Sequence, residues 1–238
     1  MTLAVQRCPS PNFNERNSAV LLDYIVVHYT GMESGAWVKA VCDQSTELSA
    51  HFLVKDDGQI VQLIDESKRA WHAGKSYWRG IADMNSASIG IELTNPGHPY
   101  GYQPFPSTQI KALKELLRDI IRRHKLDAAQ ALLAHSDIAP TRKEDPGELF
   151  PWQELAQEGL GLWPKPRAED YGAFNDRDVA ELLRAIGYEC PLEQAADSLL
   201  RAALRAFQRR YRPQNLTGIA DAETVARLRA LNALQEAR

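Results

Sequence analysis

The sequence predicts an α/β domain built on a mixed β-sheet, followed by a small bundle of three helices. Three observations predict it. Short apolar, β-branched runs share the first two thirds of the chain with one long amphipathic helix. Two of those runs are joined as a hairpin, so the sheet mixes parallel and antiparallel pairs. The composition then changes near residue 163, and only helix signals follow.

Each element has its own signal. Tyr24-Ile25-Val26-Val27-His28 reads as a buried strand. His51 to Lys55 and Gln59 to Ile64, joined by Asp56-Asp57-Gly58, read as a hairpin with a glycine-containing turn. Ser88-Ile89-Gly90-Ile91-Glu92-Leu93 is a further strand. Ile110, Leu113, Leu116, Leu117, Ile120 and Ile121 recur at helical spacing, with Ser107 or Thr108 placed to cap the helix they define. Ala131 to His135 closes the set of strands. Trp163-Pro164-Lys165-Pro166-Arg167 contains two prolines, and no apolar period appears before Gly172, so it reads as a linker.

Beyond it, a helix begins behind Asn175 or Asp176, carries Val179, Leu182, Leu183 and Ile186, and stops at Gly187. A second runs from about Ser198 to Tyr211. A third follows Thr217-Gly218, with Asp221 as its cap. The expected domains are therefore 1–165, a linker at 166–174, and a helical domain at 175–238.

Composition excludes several classes. The 238 residues carry a formal net charge of −3. That balance argues against a dedicated nucleic-acid binder. Residues 171–238 hold ten Arg and no Lys against nine Asp and Glu, while the acidic excess lies earlier. Arg201, Arg205, Arg209 and Arg212 recur at three- and four-residue spacing and read as a solvated helix face. No apolar run approaches the roughly 18 residues needed to span a bilayer. Cys8, Cys42 and Cys190 are too few and too scattered for a disulfide framework or a thiolate metal site. The first residues lack the marks of a leader, so a cytoplasmic setting is the expectation, with the periplasm as the alternative if a leader was removed or export is unconventional.

Histidines are where acid–base or metal chemistry should be sought. His28 and His135 end predicted buried strands, where a sheet presents side chains to a cleft. His51 reads as a structural or supporting residue, and His98 and His124 as surface residues. The run His135 to Gly147 is dense in polar groups and stiffened by Pro140 and Pro146. Catalytic zinc takes three protein ligands and keeps one position open, a count that His28, His135 and Asp145 satisfy. On spacing alone, Asp145 reads first as a turn-former ahead of Pro146. Glu92 either faces solvent on a polar sheet face or lies in a cleft with a raised pKa, where it would serve as a general base.

Several segments together resemble one family. Val26-Val27-His28-Tyr29-Thr30, Ala70-Trp71-His72-Ala73-Gly74, Ser88 to Glu92, His135 to Gly147 and Pro151-Trp152 are similar, in order and spacing, to the zinc-dependent N-acetylmuramoyl-L-alanine amidases of the type-2 amidase family. The resemblance spans residues 7–163. Leu204 to Tyr211, Thr217-Gly218 and Asp221 to Thr224 resemble the small helical peptidoglycan-binding domain often attached to such enzymes.

The resemblance implies a central mixed sheet flanked by helices. It implies one zinc per chain on His28, His135 and Asp145, with Glu92 as the catalytic carboxylate and Lys143 as the cation facing the reacting carbonyl. The implied reaction is hydrolysis of the amide between the lactyl group of N-acetylmuramic acid and L-alanine of the stem peptide. Peptidoglycan or anhydro-muropeptides would be the partners; no nucleic acid, membrane span or protein partner is implied. Trp71, His72 and Arg79, in the loop Arg69 to Gly80, are the candidates to line the substrate groove, with Arg79 facing a stem-peptide carboxylate. The other reading of that loop has Trp71 and Trp78 packing over the sheet edge. A recognition module that binds peptidoglycan without cutting it is the alternative function.

Overall fold

The structure, a computed structural model, describes residues 3–32, 36–190 and 197–237. Its strands are β1 (Val5–Arg7), β2 (Phe13–Glu15), β3 (Tyr24–Tyr29), β4 (Phe52–Val54), β5 (Ile60–Gln62), β6 (Lys68–Ala70), β7 (Ser88–Leu93) and β8 (Leu132–Ala134). Its α-helices are α1 (Ala36–Cys42), α2 (Met84–Ala87), α3 (Ser107–His124), α4 (His135–Ile138), α5 (Trp152–Gln157), α6 (Asp176–Ile186), α7 (Asp197–Tyr211) and α8 (Ala222–Glu236).

Six strands form a mixed sheet in the order β1-β5-β4-β7-β3-β8, in which only the β4–β5 hairpin pairs antiparallel. The expected hairpin and the three expected buried strands are all present. Strands β1, β2 and β6 were not foreseen: VQR, FNE and KRA carry no apolar period, and only their pairing makes them strands.

Side chains alternate across a strand, so each face of the sheet can be read separately. Ile25, Val27, Ile89, Ile91 and Leu93 point to one face, where Ile110, Leu113, Leu117 and Ile120 of α3 and Leu155 of α5 cover them. On the other face, Tyr24, Val26 and Leu133 pack with Leu183 of α6, Leu204, Phe207 and Tyr211 of α7 and Leu228 of α8. Leu53 and Val61 on that same face meet Trp37 and Val41 of α1. Between these two apolar patches lie His28, Gly90 and Glu92, all buried.

The helix ends explain themselves, with one correction. Asn175 accepts the Asp178 N–H and Asp178 returns a bond to the Asn175 N–H, a reciprocal cap that starts α6. Asp221 caps α8 by accepting the Thr224 N–H. Gly187 ends α6 at φ +141°, and a Cβ there would stand 2.6 Å from Trp78, so the stop also makes room for the indole. Neither Ser107 nor Thr108 caps α3: the helix begins behind Pro106, and the Thr108 hydroxyl donates instead to the Asp56 carbonyl. The segment read as a linker holds only a short 3-10 turn, Ala168–Asp170, and Arg229 fastens it by donating to the Asp170 and Ala173 carbonyls.

Candidate active site

His28 sits at the end of β3 on the face shared with the C-terminal helices, and its register partner on β7 is Glu92. Strand β8 ends at Ala134, one residue earlier than the sequence suggested, and His135 opens α4. The ten-residue gap from His135 to Asp145 closes through the backbone, because the Ser136 N–H donates to the Asp145 carbonyl. The three side chains therefore converge. His28 Nδ1 lies 2.9 Å from His135 Nδ1, and each lies 3.0 Å from Asp145 Oδ2. All three residues are buried.

Hydrogen bonds on the far side of each ring assign the tautomers. His135 Nε2–H donates to the Ala73 carbonyl at 3.1 Å, which leaves Nδ1 with a bare lone pair. The Ser88 hydroxyl donates to the Met84 carbonyl, so Ser88 Oγ can only accept from His72 Nε2–H, 3.5 Å away. His72 Nδ1 is then the acceptor for His28 Nε2–H at 3.1 Å, and His28 Nδ1 is also bare. Two ring lone pairs and a carboxylate oxygen thus face one another in a buried site, an arrangement that repels itself unless a cation lies among the three. These residues fit a metal ion: two imidazoles and one carboxylate are the donor set of a three-ligand catalytic zinc site.

Electrostatics agree with that reading. Burial, followed by the neighbouring His135, lowers the His28 pKa to about 4, so the ring stays neutral near pH 7. For Asp145, burial works upward; the rings of His135 and His28 hold the carboxyl below the usual range only by donating to it, and with both Nδ1 atoms bare that part falls to a cation among the three. Glu92 behaves oppositely. Burial pushes it well above the ordinary carboxyl range, Asp145 adds to the rise, and Lys143 opposes it. Glu92 Oε2 is buried without a hydrogen-bond partner, which is costly for a carboxylate with only structural duties.

His72 reaches its place because β7 has no side chain at Gly90. A Cβ there would stand 2.4 Å from the His72 ring. Asn85 of α2 accepts both the His72 and Ala73 N–H groups, fixing the loop in which they lie. Arg142 reaches across from the Asp145 segment to the Ala73 and Lys75 carbonyls, at 2.7 Å each. His51, buried against the same strand, accepts the Gly90 N–H and meets Arg16, consistent with a supporting role. Asn85, Arg142 and Gly90 were not singled out from sequence. Only the glycine in mid-strand was a visible signal.

A cavity of about 320 Å3 opens over the triad, lined also by Tyr29, Trp37, His72, Glu92, Arg142 and Lys143. Trp71 and Arg79 are placed elsewhere. Trp71 Nε1 donates to Asn14, and Arg79 donates to the Ile186 carbonyl and to Gln130. Arg79 is held by the end of α6, so it does not present its fork to the cavity. Trp78 is buried and packs edge-on against Tyr188, with ring centroids 5.0 Å apart. His98 is no mere surface residue: it meets the Tyr29 hydroxyl at 2.9 Å and both carboxylate oxygens of Glu148 at 3.2 Å. His124 likewise pairs with Glu66.

Comparison with known proteins points to one family. The N-acetylmuramoyl-L-alanine amidase family model matches residues 17–148, and a putative peptidoglycan binding domain model matches 176–228. The chain is 38% identical over 232 residues to the N-acetylmuramoyl-L-alanine amidase AmiD of Escherichia coli (strain K12), covering 87% of this chain and 81% of AmiD. AmiD has been solved with the substrate anhydro-N-acetylmuramic acid-L-Ala-D-gamma-Glu-L-Lys. That structure superposes with a TM-score of 0.80 at 36% identity, over 92% of this chain and 93% of the other. AmpDH3 of Pseudomonas aeruginosa in complex with anhydromuramic pentapeptide gives a TM-score of 0.83 at 34% identity, over 90% and 92% of the two chains. The 1,6-anhydro-N-acetylmuramyl-L-alanine amidase AmpD of Escherichia coli (strain K12) is 33% identical over 168 residues, 63% of this chain and 89% of AmpD. The chain belongs to the N-acetylmuramoyl-L-alanine amidase family.

Proposed function

We propose that this amidase holds one zinc ion on His28, His135 and Asp145 and uses Glu92 and Lys143 to hydrolyse the amide between the lactyl group of N-acetylmuramic acid and L-alanine. The observation that carries the proposal is the convergence of three bare donor atoms about 3 Å apart, next to a buried carboxyl whose Oε2 has no hydrogen-bond partner among the described residues. Anhydro-muropeptides of the kind solved with AmiD and AmpDH3 are the substrate class.

Zinc, when bound, supplies Lewis acidity, polarising the amide carbonyl and bringing the deprotonation of water toward neutral pH. The chain's own residues do the rest. His72 and Ala73 orient the two imidazoles through their outer nitrogens. Glu92 takes a proton from the attacking water and delivers it to the alanine nitrogen as the carbon–nitrogen bond breaks, leaving a lactyl carboxylic acid and a free amine that settle as carboxylate and ammonium when the acid's proton passes to the amine. A raised carboxyl pKa suits a group that must both accept and return a proton near neutral pH. Lys143 lines the same cavity and offers positive charge to the oxyanion of the tetrahedral intermediate.

Metal analysis and one substitution test this. The purified chain should contain close to one zinc, and Asp145→Ala should lose most of it. Glu92→Gln should keep its zinc while turnover falls about 10²–10⁴-fold. Unchanged zinc in Asp145→Ala would reject the ligand set, and near-wild-type turnover in Glu92→Gln would reject the base.

A further inference from the structure

Arg209 and Arg210 are consecutive residues of α7, and the sequence reads Arg209 as part of a solvated face. Both are buried, at 8% and 5% exposure. Successive helical side chains diverge by about 100°, and these two reach different parts of the segment that carries His135 and Asp145. Arg210 donates to Asp137 Oδ2 at 2.6 Å and to the Leu132 carbonyl at 2.9 Å, with its guanidinium 4.1 Å above the Trp152 ring. Leu132 lies on β8 just before His135, and Asp137 is the third residue of α4, which His135 opens. Asp137 also accepts the Ala134 N–H and the Tyr188 hydroxyl.

Arg209 lies 3.7 Å from Glu144 and 3.6 Å from Glu148, the acidic residues on either side of Asp145. His98 meets the same two carboxylates at 3.4 and 3.2 Å. The acidic pair is therefore held between a ring and a guanidinium. Covering an apolar sheet face requires only side chains such as Phe207 and Tyr211. Burying two guanidinium groups there carries a desolvation cost, and what it adds is direction.

We propose that α7, in the region matched by the peptidoglycan-binding model, is a working part of the amidase centre. Arg210 is a positioning residue for His135, and Arg209 is a positioning residue for Asp145. The inference rests on reading His28, His135 and Asp145 as the metal site. Neither arginine touches a donor atom: Arg210 holds backbone just before His135, and Arg209 stands as a buried counter-charge to the carboxylates of Glu144 and Glu148, which flank Asp145.

The test uses the full chain, stripped of metal and titrated with zinc. Two readouts are taken: the rise in melting temperature that zinc produces, and the absorption spectrum of the cobalt(II)-substituted protein. Arg210→Met should weaken zinc binding about 10–100-fold, which reduces the zinc-induced rise beyond any fall in the metal-free melting temperature. Its cobalt spectrum should shift, and kcat should fall with KM within about twofold. Arg210→Lys should recover part of the loss. Arg209→Met and Tyr188→Phe should give smaller changes of the same sign, and they decide the matter if Arg210→Met does not fold. Equal falls with and without zinc, together with an unchanged cobalt spectrum, would overturn the proposal. A wild-type chain that binds no zinc would refute the metal reading instead.

Discussion

The two faces of the central sheet are built from the same strands and do different work. Under α3 the face is mostly apolar: Ile25, Val27, Ile89, Ile91 and Leu93 meet Leu113, Leu117 and Ile120, and the buried Gln109 at its edge is bonded to the Val54 and Thr94 carbonyls. The opposite face is interrupted. Val26 is packed by the C-terminal helices, but two residues along the same strand His28 turns the same way into the catalytic cavity, opposite Glu92. The proposed site sits between two apolar patches, one under α1 and one under α6–α8, and its side chains are buried enough for desolvation to move their pKa values. One face supplies stability, and the other uses part of that stability to hold unpaired polar atoms.

That contrast can be broken at four points, from the largest expected effect to the smallest. Leu117→Ala, on the face under α3, should lower unfolding stability by about 2–5 kcal/mol. Zinc affinity and turnover of the folded fraction should stay within about twofold; a tenfold loss would show that the faces are coupled. Gly90→Ala, on the catalytic face, should cost less stability, about 1–3 kcal/mol. It should weaken zinc at least about tenfold, because the added Cβ displaces the ring that orients His28. Isothermal titration with zinc would separate the two variants.

The third point is acid. Burial, aided by Arg16, lowers the His51 pKa to about 3, and His28 lies at about 4. The unfolded chain takes up protons on these rings near pH 6.5 and the folded chain only near 4 and 3, so stability should fall as pH drops between those values. A melting series on metal-free protein checks this, and a flat profile from pH 6.5 to 4 would contradict the buried neutral rings. The smallest effect should come from Trp71→Phe. It removes the hydrogen bond to Asn14, costing about 0.5–1.5 kcal/mol. It should leave kcat/KM unchanged, and a fivefold loss would return Trp71 to the substrate groove.

Much of this was legible in the chain because period-two alternation is local. Val26 and His28 on one strand, and Gly90 and Glu92 on another, announce a shared face that changes from apolar to polar. Asp145 was not legible from spacing, because its approach to His135 depends on how a ten-residue loop folds back through the Ser136–Asp145 backbone bond. Arg209 and Arg210 were least legible. Arginines at helical spacing look like a solvated face, and only partners distant in sequence make this one a buried clamp; Arg210 and Asp137 are 73 residues apart. The same reason misplaced His98, whose partner Glu148 is 50 residues distant, and Arg79, claimed by α6.

The central claim is that one metal ion on His28, His135 and Asp145 makes this chain an amidase. The most direct measurement titrates zinc into metal-free protein while following release of the stem peptide from an anhydro-muropeptide. The account predicts no turnover without metal and a linear rise that saturates at one zinc per chain. Full turnover in the metal-free protein, or a rise that continues well past one equivalent, would contradict it.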